Sequence, residues 1–492
     1  MDSSTQTTIL VGTGLYVLVM LAIGLFVSKK STDLDDFAAS GRNMSMSVCA
    51  ISIIATWFGA GPMMGSAAAA YSGNKLEVLR DPLVSGIALI IAGFFFVRTY
   101  NRSRRLTHIA FYETRIGDLA GIISIFVNLV AGTIWLGAVL FAFGVVFESL
   151  TGQSAALGIL GGTLVIVVYT MFGGLKAVAA TDVVQMAFII IGVLILFYVV
   201  LDDAGGWATI APQLPAHAFD FTPEAYDLKS MTAYMQVWLS SGLAAIGVLS
   251  LVQRAAAARS EQVAQNAFYI GGLGYLAFGM IPVIIGYIAA VTMPGVENPN
   301  AIIPLLAVEH LHPVLVAIFV GAVISAIMST SDSILLGCGT VISVNLLPRF
   351  KAEPSDELSL RVARWSIPVI AIFSLYFAFN TSSVISAIGL AVSIGFAGMS
   401  APFLLVIWWK KLTSIGGYSG IASGFTVFAV MKFIEADFSA SFAGFYVSLI
   451  VAVTVSLTTQ NISPPRPLTM ADGEPLDLEN RFGTLPLFKR ID

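Results

Sequence analysis

Charge is what this sequence has least of. It carries 25 Lys plus Arg and 29 Asp plus Glu in 492 residues, 11% of the chain, where soluble globular chains carry about 25%. That scarcity excludes a soluble multidomain protein and a disordered one. A net charge of −4 offers no basic field to phosphates, which excludes a nucleic-acid binder. Two cysteines cannot build a disulfide framework or a four-thiolate zinc site, and the four histidines fall in no ligand spacing. No polar segment groups a nucleophile, a base and an orienting third residue, so an enzyme is not expected.

Apolar length is what the chain has in excess. An apolar share of 57% is about 280 residues, and a bilayer-spanning helix needs roughly 20. Lipid offers no partner to backbone polar groups, so such runs are helices unless they close a barrel. These runs are too long and too uniformly apolar for barrel strands. Thirteen are expected: 8–27, 46–71, 82–98, 119–148, 155–173, 178–201, 233–253, 266–293, 313–346, 362–379, 383–409, 414–433 and 440–458. The first follows an uncharged start without a basic signal-peptide region and reads as a retained span. Residues 1–458 then form one transmembrane domain, and 459–492 a polar, Pro-rich cytoplasmic tail, partly disordered. The loop from Asp202 to Met231 reads as an ordered outward segment with a short surface helix.

Basic residues orient the chain. With the N-terminus outside and the C-terminus in the cytoplasm, 21 of 25 fall on the inner side, as the positive-inside rule requires. Arg254 and Arg259 are counted there, with Lys29, Lys30, Lys489 and Arg490. The outer side holds Lys75, Arg80, Lys229 and Lys432. The expected location is the cytoplasmic membrane.

Ionisable groups within spans are costly and mark function. Asp182 and Asp332 lie well inside runs. Ser325, Ser329, Asp332 and Ser333 share one helix face, and hydroxyls with a carboxylate suit a small hard cation. In the second run, Ala55-Thr56-Trp57-Phe58-Gly59-Ala60-Gly61-Pro62 combines two glycines and a proline. The helix should break there and expose carbonyls and amides to ions or solute. Trp57 beside the break, and Trp135 in the fourth run, can face a cavity and stack on a cationic solute. Cys49 and Cys338 read as free thiols.

Three motifs carry a resemblance. Asp36-Phe37-Ala38-Ala39-Ser40-Gly41-Arg42 is similar to D-(F/Y)-x-x-(G/A)-G-R of the sodium/solute symporter family. Gly173-Gly174-Leu175-Lys176-Ala177-Val178 with Thr181-Asp182-Val183-Val184-Gln185 resembles its G-G-x-x-A-V-x-x-T-D-x-x-Q. Ala326-Ile327-Met328-Ser329-Thr330-Ser331-Asp332-Ser333 resembles its ninth-span motif. The resemblance covers most of 8–460. It implies an all-α integral membrane protein of LeuT-like fold, with inverted repeats of spans two to six and seven to eleven, one extra span before them and two after. No similarity between the halves is visible in the sequence itself.

The resemblance further implies a symporter in which inward sodium flux drives uptake of a small polar organic solute by alternating access. The coupling ion is Na+, with no organic cofactor, and the partners are solute and lipid, with no obligate protein partner. The main sodium site would use Ala55, Phe58, Ala326, Ser329 and Thr330, and a second cation site Asp182, Ser329, Asp332 and Ser333. Solute would bind at Thr56, Trp57, Gly59, Gly61 and Trp135. The break also resembles A-T-W-V-G-G-G of the high-affinity choline transporter branch. However, Val248 stands where that branch has a tryptophan ahead of Gln253-Arg254, and the seventh span has no acidic residue. Choline-like amines, amino acids, zwitterions and carboxylates remain open as solutes. Proton coupling on the same fold is the alternative, and a membrane solute sensor a more remote one.

Overall fold

A computed structural model describes residues 3–28, 34–214, 218–223, 225–436 and 438–482. Among these, regular structure is helical apart from two isolated β-bridges. The main helices are α1 (Ser3–Ser28), α2 (Met46–Trp57), α3 (Gly61–Tyr71), α4 (Lys75–Phe95), α5 (Asp118–Thr151), α6 (Ala155–Asp203), α7 (Leu228–Ile246), α8 (Leu249–Ala257), α9 (Glu261–Thr292), α10 (Pro313–Arg349), α11 (Asp356–Asn380), α12 (Val384–Trp408), α13 (Ser414–Phe433) and α14 (Ala440–Thr458).

Nine of these helices are long and apolar enough to cross a membrane, and α2 with α3 makes a tenth crossing if the bent pair is one span. The expected thirteen need three further divisions or additions. Helix α6 has 49 residues, about 74 Å at 1.5 Å per residue, more than twice a hydrocarbon core of about 30 Å. Its backbone leaves the helical region at Gly174 (φ 65°, ψ 176°), in the gap between the runs 155–173 and 178–201. A Cβ there would lie 3.1 Å from the Phe37 carbonyl oxygen, so the position needs glycine both for its left-handed φ and for space. Helices α7 and α8 form an interrupted pair, separated by Gly247 and Val248. Helix α1 supplies the last, with a shorter apolar stretch at Val11–Ile23.

Helix α10 is the centre of the molecule. In its most apolar stretch 78% of residues are buried inside the protein, against at most 61% for the other long helices. It packs on α1, α2, α5, α6 and α11. So much enclosure leaves little lipid-facing stripe, and its hydroxyls and its carboxylate, from Ser325 to Ser333, are buried among other helices.

Two expectations change. Residues 459–482 are not a loose end. Arg105 donates to the Thr469 carbonyl at 3.0 Å and to that of Met470 at 2.9 Å. Gln265 reaches the Phe482 carbonyl at 2.7 Å, and Leu468 and Leu476 are buried. A polar, Pro-rich segment gains order here because buried leucines anchor it and arginines satisfy its carbonyls. The second change is Arg254, counted above as a cytoplasmic loop residue. It is fully buried in α8, so it reports nothing about orientation. Lys29, Lys30, Lys489 and Arg490 lie outside the described residues. In the loop after α6, the expected surface helix is the short turn Trp207–Ile210.

Candidate functional site

The site begins at the break after α2. Glycine at 59 and 61 and Pro62 withdraw helix propensity and a backbone donor. The helix stops at Trp57, Phe58 turns away with φ −79° and ψ 58°, and α3 leaves at 51° to α2. The last helical bond of α2 runs from the Phe58 amide to the Ile54 carbonyl at 2.7 Å. Beyond it the carbonyls of Ala55, Thr56 and Trp57 lose their i+4 donors. Thr330 of α10 donates to the Thr56 carbonyl at 2.9 Å. A Cβ on Gly59 would run into the Thr330 side chain, so the break sits directly against α10.

One turn deeper, a polar cluster joins four helices. Asp182 of α6 accepts from Ser329 of α10 at 2.6 Å on one oxygen and from Ser52 of α2 at 2.5 Å on the other. Arg254 of α8 lies 3.5 Å from Asp182, and neither side chain is exposed. The guanidinium donates to Ser333 at 2.8 Å, to Ser52 Oγ at 3.0 Å and to Thr56 Oγ1. Ser333 in turn meets Asp332 at 3.3 Å. Burying a charge is costly unless it is paired and hydrogen-bonded, and for Asp182 and Arg254 both conditions are met.

Asp332 differs. Its Oδ2 is buried with no hydrogen-bond partner among the described residues, as are both amide atoms of Gln185 on α6. Nearby, Tyr16 of α1 and Ser325 of α10 share a bond at 2.5 Å.

Two cavities meet at the break. The larger, about 170 Å³, extends from Thr56, Trp57 and Trp135 to His108 and Tyr112. The smaller, about 80 Å³, runs the other way past Gly59 and Gly61 to Arg80 and Asp81. Thr56, Trp57, Trp135, Val248 and Thr330 line both. The Trp57 ring meets Tyr275 edge-on with centroids 6.1 Å apart. Asp81 accepts from the Tyr275 hydroxyl at 2.6 Å, and Arg80 pairs with Glu77 at 2.9 Å. On the wall of the larger cavity, burial pushes the His108 imidazole down to about 4, leaving it neutral at physiological pH.

The residues expected from sequence therefore lie in two neighbouring groups. Thr56, Trp57, Gly59, Gly61 and Trp135 are wall residues of the smaller cavity. Ser329 and Thr330 sit at the α2–α10 contact with Asp182, and Ser333 and Asp332 one turn on. Ala55, Phe58 and Ala326 are fully buried. Sequence reasoning missed Ser52, Arg254, Arg80, Asp81 and Tyr275. Arg254 carried a signal: it is the one charge in an otherwise small and apolar stretch, Leu249–Ala257. Arg80 and Asp81 fell in what read as a loop before the third span.

Comparison with known proteins follows the same geometry. The sodium:solute symporter family model matches residues 37–424. The high-affinity proline transporter PutP of Bacillus subtilis (strain 168) is 28% identical over 465 residues, covering 90% of this chain and 96% of the relative. The osmoregulated proline transporter OpuE of the same organism is 25% identical over 482 residues, covering 92% and 95%. Among solved structures, a substrate-bound outward-open Na+-coupled sialic acid symporter superposes with a TM-score of 0.80 at 17% identity, covering 95% of this chain and 99% of that one.

Proposed function

Because the chain belongs to the sodium:solute symporter family, we propose that it couples inward sodium flux to uptake of a small zwitterionic solute of the amino-acid class. It is a transporter rather than an enzyme. The observation that carries the reading is the α2 break held against α10, where Thr330 donates to the Thr56 carbonyl at 2.9 Å and two cavities meet.

Sodium is assigned to the break. Ser329 spends its proton on Asp182 and Thr330 spends its own on Thr56. Each hydroxyl keeps lone pairs for a cation. With the freed carbonyls of Ala55 and Phe58 and that of Ala326, they make a five-oxygen set suited to a small hard ion. The family resemblance supplies the assignment, and the hydrogen-bond directions are compatible with it.

Solute is assigned to the junction beside Trp57. Trp57, Trp135 and Val248 give an apolar wall, while Arg80 and Asp81 give one charge of each sign at its far end. A zwitterion with a compact apolar body fits that pairing better than a quaternary amine, whose cage would lack the tryptophan replaced by Val248. The proline transporters among its relatives support the same class. Sodium and solute share the broken helix, so each favours the state that binds the other. Thirteen spans with the Arg115 end in the cytoplasm complete the reading.

The test is a solute panel read by thermal stability of the purified protein, since a true ligand stabilises by mass action. L-Proline and related zwitterions should raise the melting temperature in sodium and much less in potassium. Stabilisation by choline alone would overturn the solute class.

A further inference from the structure

The segment 459–482 closes over a third cavity, of about 290 Å³, between itself and the end of α12. Four basic residues line it. Arg115 and Lys410 come from the helical body, Arg466 and Arg481 from the segment. No acidic residue lines it, and among the described residues none of the four is in an ion pair.

The end of α12 explains why arginines gather there. The last carbonyls of a helix have no partner within it. Arg481 donates to the Ile407 carbonyl at 3.0 Å and lies over the Trp408 ring, 4.1 Å from its centroid. Arg115 donates to the Trp409 carbonyl at 2.7 Å and to the Arg466 carbonyl. A guanidinium carries five donors, so these bonds engage only part of each fork. Arg115 is 5% exposed, and its Nε is buried with no partner among the described residues. A buried donor without an acceptor is costly.

Docking of the segment therefore gathers four positive charges and neutralises none of them. Their mutual repulsion opposes docking, and an anion in the cavity turns it into attraction. Guanidinium forks match the oxygens of phosphate. Val406, Ile407 and Leu476 give the same cavity an apolar wall. Trp408-Trp409-Lys410-Lys411 ends an apolar span, a pattern typical of a membrane–water interface.

We propose that this cavity is a site for a phosphate group, carried by an anionic phospholipid headgroup or by free phosphate, and that the bound anion locks the segment onto the helical body. The apolar wall favours the lipid as its source. The lock reaches three helices. Phe482 packs on Phe95 of α4 and Trp408 of α12, and its carbonyl accepts from Gln265 of α9 at 2.7 Å. Membrane composition would thereby act on the transporter independently of sodium and solute.

The test follows lifting of the segment in purified full-length protein in nanodiscs. In the docked segment the Glu479 carbonyl accepts from Arg102, so cutting after Glu479 by a glutamate-specific protease requires local opening. Replacing a third of the phosphatidylcholine by phosphatidylglycerol should slow release of residues 480–492 about tenfold. Lys410→Gln removes one cavity charge and none of the bonds above, and should cut that slowing to about twofold. Lys351→Gln, outside the cavity, should leave it unchanged. Inorganic phosphate is added to phosphatidylcholine nanodiscs, against chloride at equal ionic strength. Slowing by phosphatidylglycerol alone supports the site with lipid as the source. Slowing by phosphate and not by chloride supports it with solution as the source. No slowing by either, or equal slowing by chloride, would overturn the proposal. So would an equal loss in Lys351→Gln, which would mean diffuse attraction to the membrane surface.

Discussion

The Arg254 guanidinium lies 3.5 Å from the Asp182 carboxylate, with both side chains fully buried. Breaking such a pair by removing one partner typically costs about 3–5 kcal/mol, because the other charge is left uncompensated. Asp182→Asn and Arg254→Gln should each destabilise the protein strongly, and the double variant should lose clearly less than the sum. Thermal unfolding of the four proteins in one detergent checks this. Additive losses would mean that the two groups do not depend on each other.

Ser329 and Ser331 are neighbours with different expectations. Ser329 donates to Asp182 across helices, whereas Ser331 bonds back to the Ile327 carbonyl of its own helix at 2.8 Å. Ser329→Ala should raise the half-saturating sodium concentration by about tenfold or more, equivalent to about 1.4 kcal/mol. Ser331→Ala should leave it within about twofold, on the order of 0.4 kcal/mol. Sodium titration of uptake measures both, with surface expression as the control.

The glycines at the two breaks are tested by alanine. A Cβ on Gly59 collides with Thr330, and one on Gly174 approaches the Phe37 backbone while requiring a left-handed φ. Overpacking costs about 1–3 kcal/mol, and left-handed backbone about 1–2 kcal/mol without glycine. Gly59→Ala should abolish uptake by prising α2 from α10. Paired with Thr330→Ala, which removes the colliding hydroxyl, it should recover packing and expression but not sodium activation. Gly174→Ala should act chiefly on stability and expression.

His108 gives a pH prediction. Its folded value is depressed to about 4 by burial, against about 6.5 when exposed. The unfolded chain therefore binds the extra proton first as pH falls. The stability contributed by neutral His108 is present above about 6.5 and is lost as pH falls through the folded value. Its ring packs on Tyr112 and Phe403, so His108→Phe preserves the contact and removes the titration. Melting temperature should fall less between pH 7 and pH 4.5 in that variant. An unchanged pH slope would exclude His108 as a contributor.

The sequence made the fold legible wherever apolar length decides structure. Each apolar run became helix, and the breaks at 59–62 and near 174 fell where glycine and proline placed them. It was less informative where one helix is divided by geometry rather than composition, as at Gly247–Val248 between α7 and α8. For the site, Asp182 and the α10 hydroxyls stood out because charge and hydroxyls within apolar runs are conspicuous. Arg254 did not, because an arginine near the end of an apolar run looks like a cytoplasmic anchor. Its burial depends on three helices distant in sequence supplying Ser52, Asp182 and Ser333. The order of residues 459–482 was hidden for the same reason, since their carbonyls are satisfied by arginines more than 350 positions away, Arg105 to Thr469 and Met470 among them.

The central claim is sodium-driven uptake through the α2–α10 junction. It is tested most directly with purified protein in sealed liposomes given labelled L-proline and an inward sodium gradient. The expected result is transient accumulation above equilibrium that vanishes when potassium replaces sodium, persists without a pH gradient and is lost with Trp57→Ala. Accumulation driven equally well by a proton gradient in sodium-free buffer would contradict it.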